Sequence, residues 1–497
     1  TASHNPAQYN GVKFCLAGAK PVGQDTGLNT VKATAVEVLD GAVGVDASAR
    51  GHADAVDIVR QRVLEARVLL GHEHEIDVLI EVHVHRRDGG AARDRERGDR
   101  PREEDLGTQA PPVNQHKWNQ IRTSWFTLNF GMAVLLDHNI VGQDQNNLAQ
   151  VGDIAPGTEF RGDRFLITGT LRASKKNPWR YMISANFNGL DAPPGKKRFD
   201  FIDWNVDIPL SSTAGWITLG KQKEGVGHEY VAPGTQFPYM ERATGEPMFV
   251  RQRNVGIRYS NSVLKGRLAY TIGFFNNYWE TGKSFSDNGS QFTARVTGLP
   301  HYTSDRDLLH LGIGYRHTGA TDGKLSYKAK PEVNTAPTFI SSGSFAASGA
   351  GTLMLEGIYV KEAVTLISEW MSTKVNAPSV GDPRFSYWQM GGSWFLTGEN
   401  RRYNKQNGNL GKLIPRKNFR FRKGSGPGAI ELASRFTHTD GTDAGIAGGT
   451  FNRLTFAASW YVNTHFRYEI NYGRGWLMKN DITGNVNIWQ FRAQFEL

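Results

Sequence analysis

Lys221, Lys223, Arg242, Arg251 and Arg253 crowd the stretch 221–253. Arg295, Arg435, Arg467 and Arg492 occupy polar positions in segments that alternate apolar with polar residues. Guanidinium and ammonium groups set around a narrow, low-dielectric passage select anions, because each charge counts for more there than in bulk water. That is binding and conduction chemistry, and it asks for no cofactor. Glu224 and Glu241 lie in the same stretch and are expected to pair with some of these bases and fix the loop. His72, His74, His83 and His85 have the right type for a metal centre, but His83 and His85 alternate with Val82 and Val84 as on an open strand face. No carboxylate–histidine pattern accompanies them, so no metal site is expected. The single cysteine, Cys15, excludes a disulfide framework and a cysteine metal cage.

Elements able to hold such bases begin near residue 124, where the pattern turns to period two and stays so. Phe126, Leu128, Phe130, Met132, Val134 and Leu136 alternate with Thr127, Asn129, Gly131 and Ala133. Trp179 to Phe187, Leu268 to Phe274 and Phe466 to Tyr472 repeat the alternation. In the last segment Trp489, Phe491, Ala493 and Phe495 face one way, and Gln490, Arg492, Gln494 and Glu496 the other. About sixteen such segments of roughly nine to thirteen residues each match the length a tilted strand needs to cross a bilayer. Aromatics recur near segment ends, as interfacial girdles require. The links read as long at 137–163, 188–197 and 224–253 and short at 173–178 and 261–264. The expectation is an all-β fold: a transmembrane antiparallel β-barrel with a wet interior and a short unrelated N-terminal appendage. Ending on a strand lets the last close against the first.

Composition divides the chain at the same place. All twelve Trp lie at Trp118 or later, and residues 31–114 contain no Phe, Trp, Tyr, Met or Cys. Residues 1–114 hold 14 Lys+Arg against 18 Asp+Glu, leaving 44 of the 58 basic and 30 of the 48 acidic residues, a net +14, for the remainder. The mean hydropathy is −0.46, and no apolar run is long enough for a transmembrane helix. The basic charge is spread along strands and loops without an aromatic–basic platform, so nucleic acid is not an expected partner. No export leader is expected within the chain, which opens on Thr1 without a basic patch leading into an apolar stretch. Residues 31–114, rich in Ala, Arg, Asp, Gly and Val, resemble GC-rich DNA translated out of frame. We read them as a non-native or disordered join.

The opening residues Thr1-Ala2-Ser3-His4-Asn5-Pro6, with Tyr9-Asn10-Gly11 and Lys13, resemble the phosphoserine loop of phosphomannomutases and phosphoglucomutases. The resemblance covers residues 1–30 and implies that Ser3 carries a transferred phosphoryl group, with His4 and Lys13 beside it. Phosphoryl transfer needs a metal and positive charge around the moving group. The family's metal loop and sugar-binding loops are missing, so the fragment is expected to be an inactive remnant. An isomerase acting through that serine is the alternative reading.

Residues 115–497 form the third expected unit. Gly220-Lys221-Gln222-Lys223-Glu224, Met240-Glu241-Arg242, Gly426 to Arg435, and Asn471-Tyr472 after Trp460-Tyr461 resemble the phosphate-selective porins O and P. That resemblance implies a trimeric sixteen-stranded channel in the bacterial outer membrane, surrounded by lipid. It implies passive diffusion of phosphate or other small anions and no catalysis.

Overall fold

The computed structural model describes residues 118–497 apart from 173–176, 188–198, 212–213, 252 and 422–425. It also pairs Cys15–Leu16 with Lys20–Pro21. The chain divides into two units, Thr1–Asp99 and Arg100–Leu497. The mutase-like residues Ser3, His4 and Lys13, and the four histidines of the middle segment, lie outside the described residues.

Sixteen antiparallel strands close into one barrel. They are β1 Phe126–Gln143, β2 Gly157–Leu171, β3 Trp179–Phe187, β4 Phe199–Pro209, β5 Trp216–Gln222, β6 Asn254–Val263, β7 Leu268–Asn276 and β8 Ser290–Ser304. There follow β9 Asp307–Gly319, β10 Gly349–Lys361, β11 Val364–Asn376, β12 Arg384–Phe395, β13 Ala429–Asp443, β14 Ile446–Tyr461, β15 Phe466–Lys479 and β16 Ile482–Glu496. The seam joins β16 to β1, with Val486 opposite Gln143 and Glu496 opposite Ala133. A helix at Gln145–Val151 staples it. Its N-cap Asp144 accepts from the Asn147 N–H at 2.8 Å and from the Asn485 N–H at 2.9 Å, across the seam.

Burial follows the strand period with its sign inverted relative to a water-soluble sheet. On β15, Phe466, Tyr468 and Ile470 are exposed while Arg467, Glu469 and Asn471 are buried. On β16, Trp489 and Phe491 are exposed while Gln490 and Arg492 are buried. Apolar side chains turned outward and polar ones turned inward give this pattern, which is that of bilayer-spanning barrels. Exposed Trp125, Trp179, Trp394 and Phe466 ring one rim, and Phe187 and Phe199 stand at the other.

The period-two reading located strands well but misjudged their ends. Strand β1 runs on to Gln143 and β2 starts at Gly157, so the first long link is 144–156 and not 137–163. Asp137, Asn139 and Arg161 therefore belong to the wall. The expected wet interior is also corrected. Link 223–253 and the hairpin Lys324–Ala329/Ile340–Ala346 of link 320–348 pack together within the barrel. Val226, Tyr230, Met248, Phe249, Tyr327, Phe339 and Phe345 from these links form one buried cluster with Met371, Phe385, Tyr387, Phe451 and Ile488 of the wall. A third insert, the link 396–428, comes from the rim that otherwise carries short turns such as 305–306 and 362–363. Its Tyr403 and Leu410 pack on Leu299, Leu308, Ile358 and Val360, and its Leu413 packs on Phe395, Ala429 and Tyr461.

Candidate functional site: charges of the barrel interior

Strand alternation aims every second side chain inward, and the interior arginines meet carboxylates and the carbonyls of the inserted links. Arg295 on β8 forks onto Glu356, at 3.0 Å from Nε, and also donates to the carbonyls of Asn407 and Gly408 at 2.8 and 2.7 Å. Arg435 on β13 bridges Glu229 and Glu332, both at 2.8 Å, and reaches the Glu241 carbonyl at 3.0 Å. Arg467 on β15 pairs with Glu469 at 2.6 Å and donates to the carbonyls of Thr235 and Phe237. Arg492 on β16 forks onto Asp137 at 2.7 Å and donates to the Met240 carbonyl at 2.9 Å. All four are buried. They anchor the links to the wall, each with its charge offset by a neighbour. Three further buried arginines that the sequence reading did not single out act alike. Arg316 forks onto Glu224, Arg401 onto Glu431, and Arg453 reaches the Pro331 carbonyl and Gln490.

Such pairs are sensitive to one-sided removal, because the surviving charge stays buried and uncompensated. Arg435→Met should destabilise the barrel by roughly 3–5 kcal/mol, since it strands both Glu229 and Glu332. Adding Glu332→Gln should recover part of the loss. The temperature at which the gel-retarded folded form disappears on heating measures both effects.

The remaining predicted bases are placed differently. Lys221 is buried opposite Trp204, which is half exposed, and shares the outward face of β5 with Leu219. Its ammonium donates to the Phe201 carbonyl at 2.7 Å beneath the Trp279 ring, so it does not line the interior. Arg251 is exposed after the short helix Glu246–Phe249. Lys223, Arg242 and Arg253 are brought together on the interior side and are only half-buried. Lys223 donates to the Ala232 carbonyl at 2.8 Å. Arg242 donates to the Glu229 carbonyl at 2.9 Å and stacks over Tyr230 and Phe237. Arg253 forks onto Asp203 at 2.9 and 3.2 Å.

Two half-buried arginines of β2 join this group. Arg164 lies within the electrostatic reach of Arg253, Asp203 and Arg242. Arg161 lies within that of Arg492, Asp137, Glu159 and Arg242, and it pairs with Glu241. Burial first, then Arg242 and Arg253, hold the Lys223 ammonium well below the ordinary lysine range. Five cations thus converge where β2, β4 and β6 face link 223–253. Arg161 escaped the sequence reading because the first link was drawn to 163; Arg164, just beyond it, was not singled out. The alternation of Arg164 with Phe165 was the signal that could have found Arg164.

Residues 138–497 match the family described as phosphate-selective porin O and P. An uncharacterized protein of Caulobacter vibrioides is 25% identical over 283 residues, covering 52% of this chain and 54% of that protein. The chain thus spans about half the length of the curated relative it matches. Among solved structures, a loop-deletion mutant of OmpT from Vibrio cholerae aligns with a TM-score of 0.49 at 10% identity, over 75% of this chain and 100% of that one. The anion-selective porin from Comamonas acidovorans aligns with a TM-score of 0.46 at 13% identity, over 74% and 100%.

Proposed function

Since the chain belongs to the phosphate-selective porin O and P family, and is an outer-membrane channel and not an enzyme, we propose that it passes small anions, phosphate foremost, by passive diffusion. The observation that carries this reading is the convergence of Arg161, Arg164, Lys223, Arg242 and Arg253 beside link 223–253. These interior bases are half-buried, as is Arg258 beside them, while the buried strand arginines are engaged in holding the links. Asp203 pairs with Arg253 and Glu241 with Arg161, and Glu159 and Asp137 also act on Arg161, while Arg242 makes no direct ion pair among the described residues. A phosphate leaving water finds several donors at once there, and a cation meets repulsion. We propose also that residues 115–497 are the porin unit, with 1–30 and 31–114 as appendages. Lipid surrounds the barrel, which assembles as a homotrimer.

The test is the zero-current potential across a planar bilayer under a salt gradient. The expected sign is anion preference, and cation preference overturns the reading. Lys223 adds a pH signature. A lysine whose pKa is depressed loses its charge below the ordinary lysine value, so the share of anion preference that Lys223 supplies should fall as pH rises and be gone before the ordinary lysine range is reached. Lys223→Arg should flatten that decline, because a guanidinium stays charged.

A further inference from the structure

Three carboxylates meet at the foot of link 223–253. Glu229 and Glu246 come from the link and Glu369 from β11, and one oxygen of each lies within 4.8 Å of the others. All three are buried, none more than 3% exposed. Their visible partners fall short of their charge. Glu229 accepts from Arg435 at 2.8 Å and from the Ala243 N–H at 2.9 Å. Arg435 is already divided between Glu229 and Glu332. Glu369 accepts only neutral donors, the His228 N–H at 2.5 Å and the Gln389 amide at 2.8 Å. Glu246 accepts the Tyr230 N–H at 2.8 Å on one oxygen, and its other oxygen is buried without a partner.

A second, separate observation points into the same place. The Tyr387 hydroxyl on β12 is wholly buried and has no hydrogen-bond partner. Glu229, Glu369 and Glu246 are the carboxylates that act on it, and its ring lies against Gly245. Gly227, at φ +75°, clears the approach, since a Cβ there would meet Glu246 Oε1 at 2.9 Å. Like charges this close and this dry cannot all stay ionised without a counter-charge. The donors are all oxygen, which suits a hard divalent cation. Calcium accepts irregular all-oxygen sites built from buried carboxylates, whereas magnesium demands a near-ideal octahedron and usually keeps several waters.

We propose that Glu229, Glu246 and Glu369 bind a calcium ion that clamps link 223–253 to the wall at β11, with the Tyr387 hydroxyl as a neutral oxygen beside it. None of the five converging cations supplies a ligand, although Arg242 lies within electrostatic reach of Glu246, and the site stands whether or not the channel prefers anions. Its test uses the full chain refolded in detergent without lipopolysaccharide, which binds calcium itself. Calcium retained after equilibrium dialysis is compared for wild type, Glu246→Gln and Glu369→Gln, each first shown to be folded by its gel-retarded migration. A single ion per wild-type chain is expected, falling to near none in either variant. Chelation should lower the unfolding temperature of the wild type and leave Glu246→Gln unmoved. Equal calcium in wild type and both variants, none in any of them, or an equal response to chelator would overturn the proposal and leave protons as the counter-charge.

Discussion

Replacing residues 400–414 with a short flexible linker, together with Glu431→Gln, should raise single-channel conductance by roughly twofold or more, because it takes a folded insert out of the passage that ions share. The link 396–428 is held inside the barrel and does not lie across the rim. Arg401 ties it to the Gln236 carbonyl at 2.9 Å, and so to link 223–253, while also reaching the Tyr461 hydroxyl at 2.8 Å. Tyr403 meets His310 at 2.5 Å, Arg295 grips two carbonyls of the link, and Ser262 donates to the Lys405 carbonyl at 2.9 Å. These contacts reach β6, β8, β9 and β14, so the link spans the interior from wall to wall. Glu431→Gln is included because deleting Arg401 alone would leave a buried carboxylate unpaired. The ladder pairing of β12 with β13, Ser386 to Phe395 against Asp440 to Glu431, does not depend on the excised residues. A barrel that still migrates as folded but conducts as the wild type does would show that ions take a path the link does not obstruct.

The second large effect is a change of sign. Arg164→Glu with Arg242→Glu should move the zero-current potential from anion preference through zero to cation preference. Each charge within about 4 Å of a passing ion is worth on the order of 1–4 kcal/mol, depending on how much water screens it. Reversing two of five converging cations exceeds what the other three can offset once Asp203 and Glu241 are set against them. Arg164 has no ion pair among the described salt bridges, and Arg242 meets a carbonyl and two rings; because Arg242 also acts on buried Glu246, the variant is first shown to be folded by its gel-retarded migration. By contrast Arg435→Glu and Arg492→Glu should act mainly on stability. Unchanged selectivity in the double variant would remove the convergence from the proposed mechanism.

The barrel was legible because a lipid-facing strand writes its period into every second residue. Phe466, Tyr468 and Ile470 against Arg467, Glu469 and Asn471 needed no tertiary information. Strand ends were less legible, since Asp137 to Gln143 mixes polar residues into a strand whose inward face bonds to other polar groups. The interior charges were read only in part. Alternation shows that Arg467 or Arg492 points inward, but not that a carbonyl of a distant link will meet it there. The crowding of bases over 221–253 had grouped Lys221 with the interior bases, whereas the ladder register puts it opposite Trp204 on the outer face. The inserts were invisible for the same reason. Val226, Tyr327, Phe339 and Leu410 show no periodicity of their own, and their burial exists only once the wall encloses them. Glu369 is far in the chain from Glu229 and Glu246 and joins them only through the return of link 223–253 to β11.

The pairing of β1 with β16 fixes when this protein can finish folding. Residues 126–143 emerge early, yet one edge of β1 stays unpaired until residues 482–496 arrive, and Arg492 must cross the whole chain to reach Asp137. Every other neighbouring pair in the wall can form locally as hairpins, but closure is the most non-local contact the chain makes, and such contacts form slowly. Until then, exposed rings such as Trp388, Phe456 and Trp489 have no lipid around them, and two open strand edges invite pairing with other chains. A chain built this way must be kept from collapsing throughout its passage to the membrane, and it completes its wall only on arrival there.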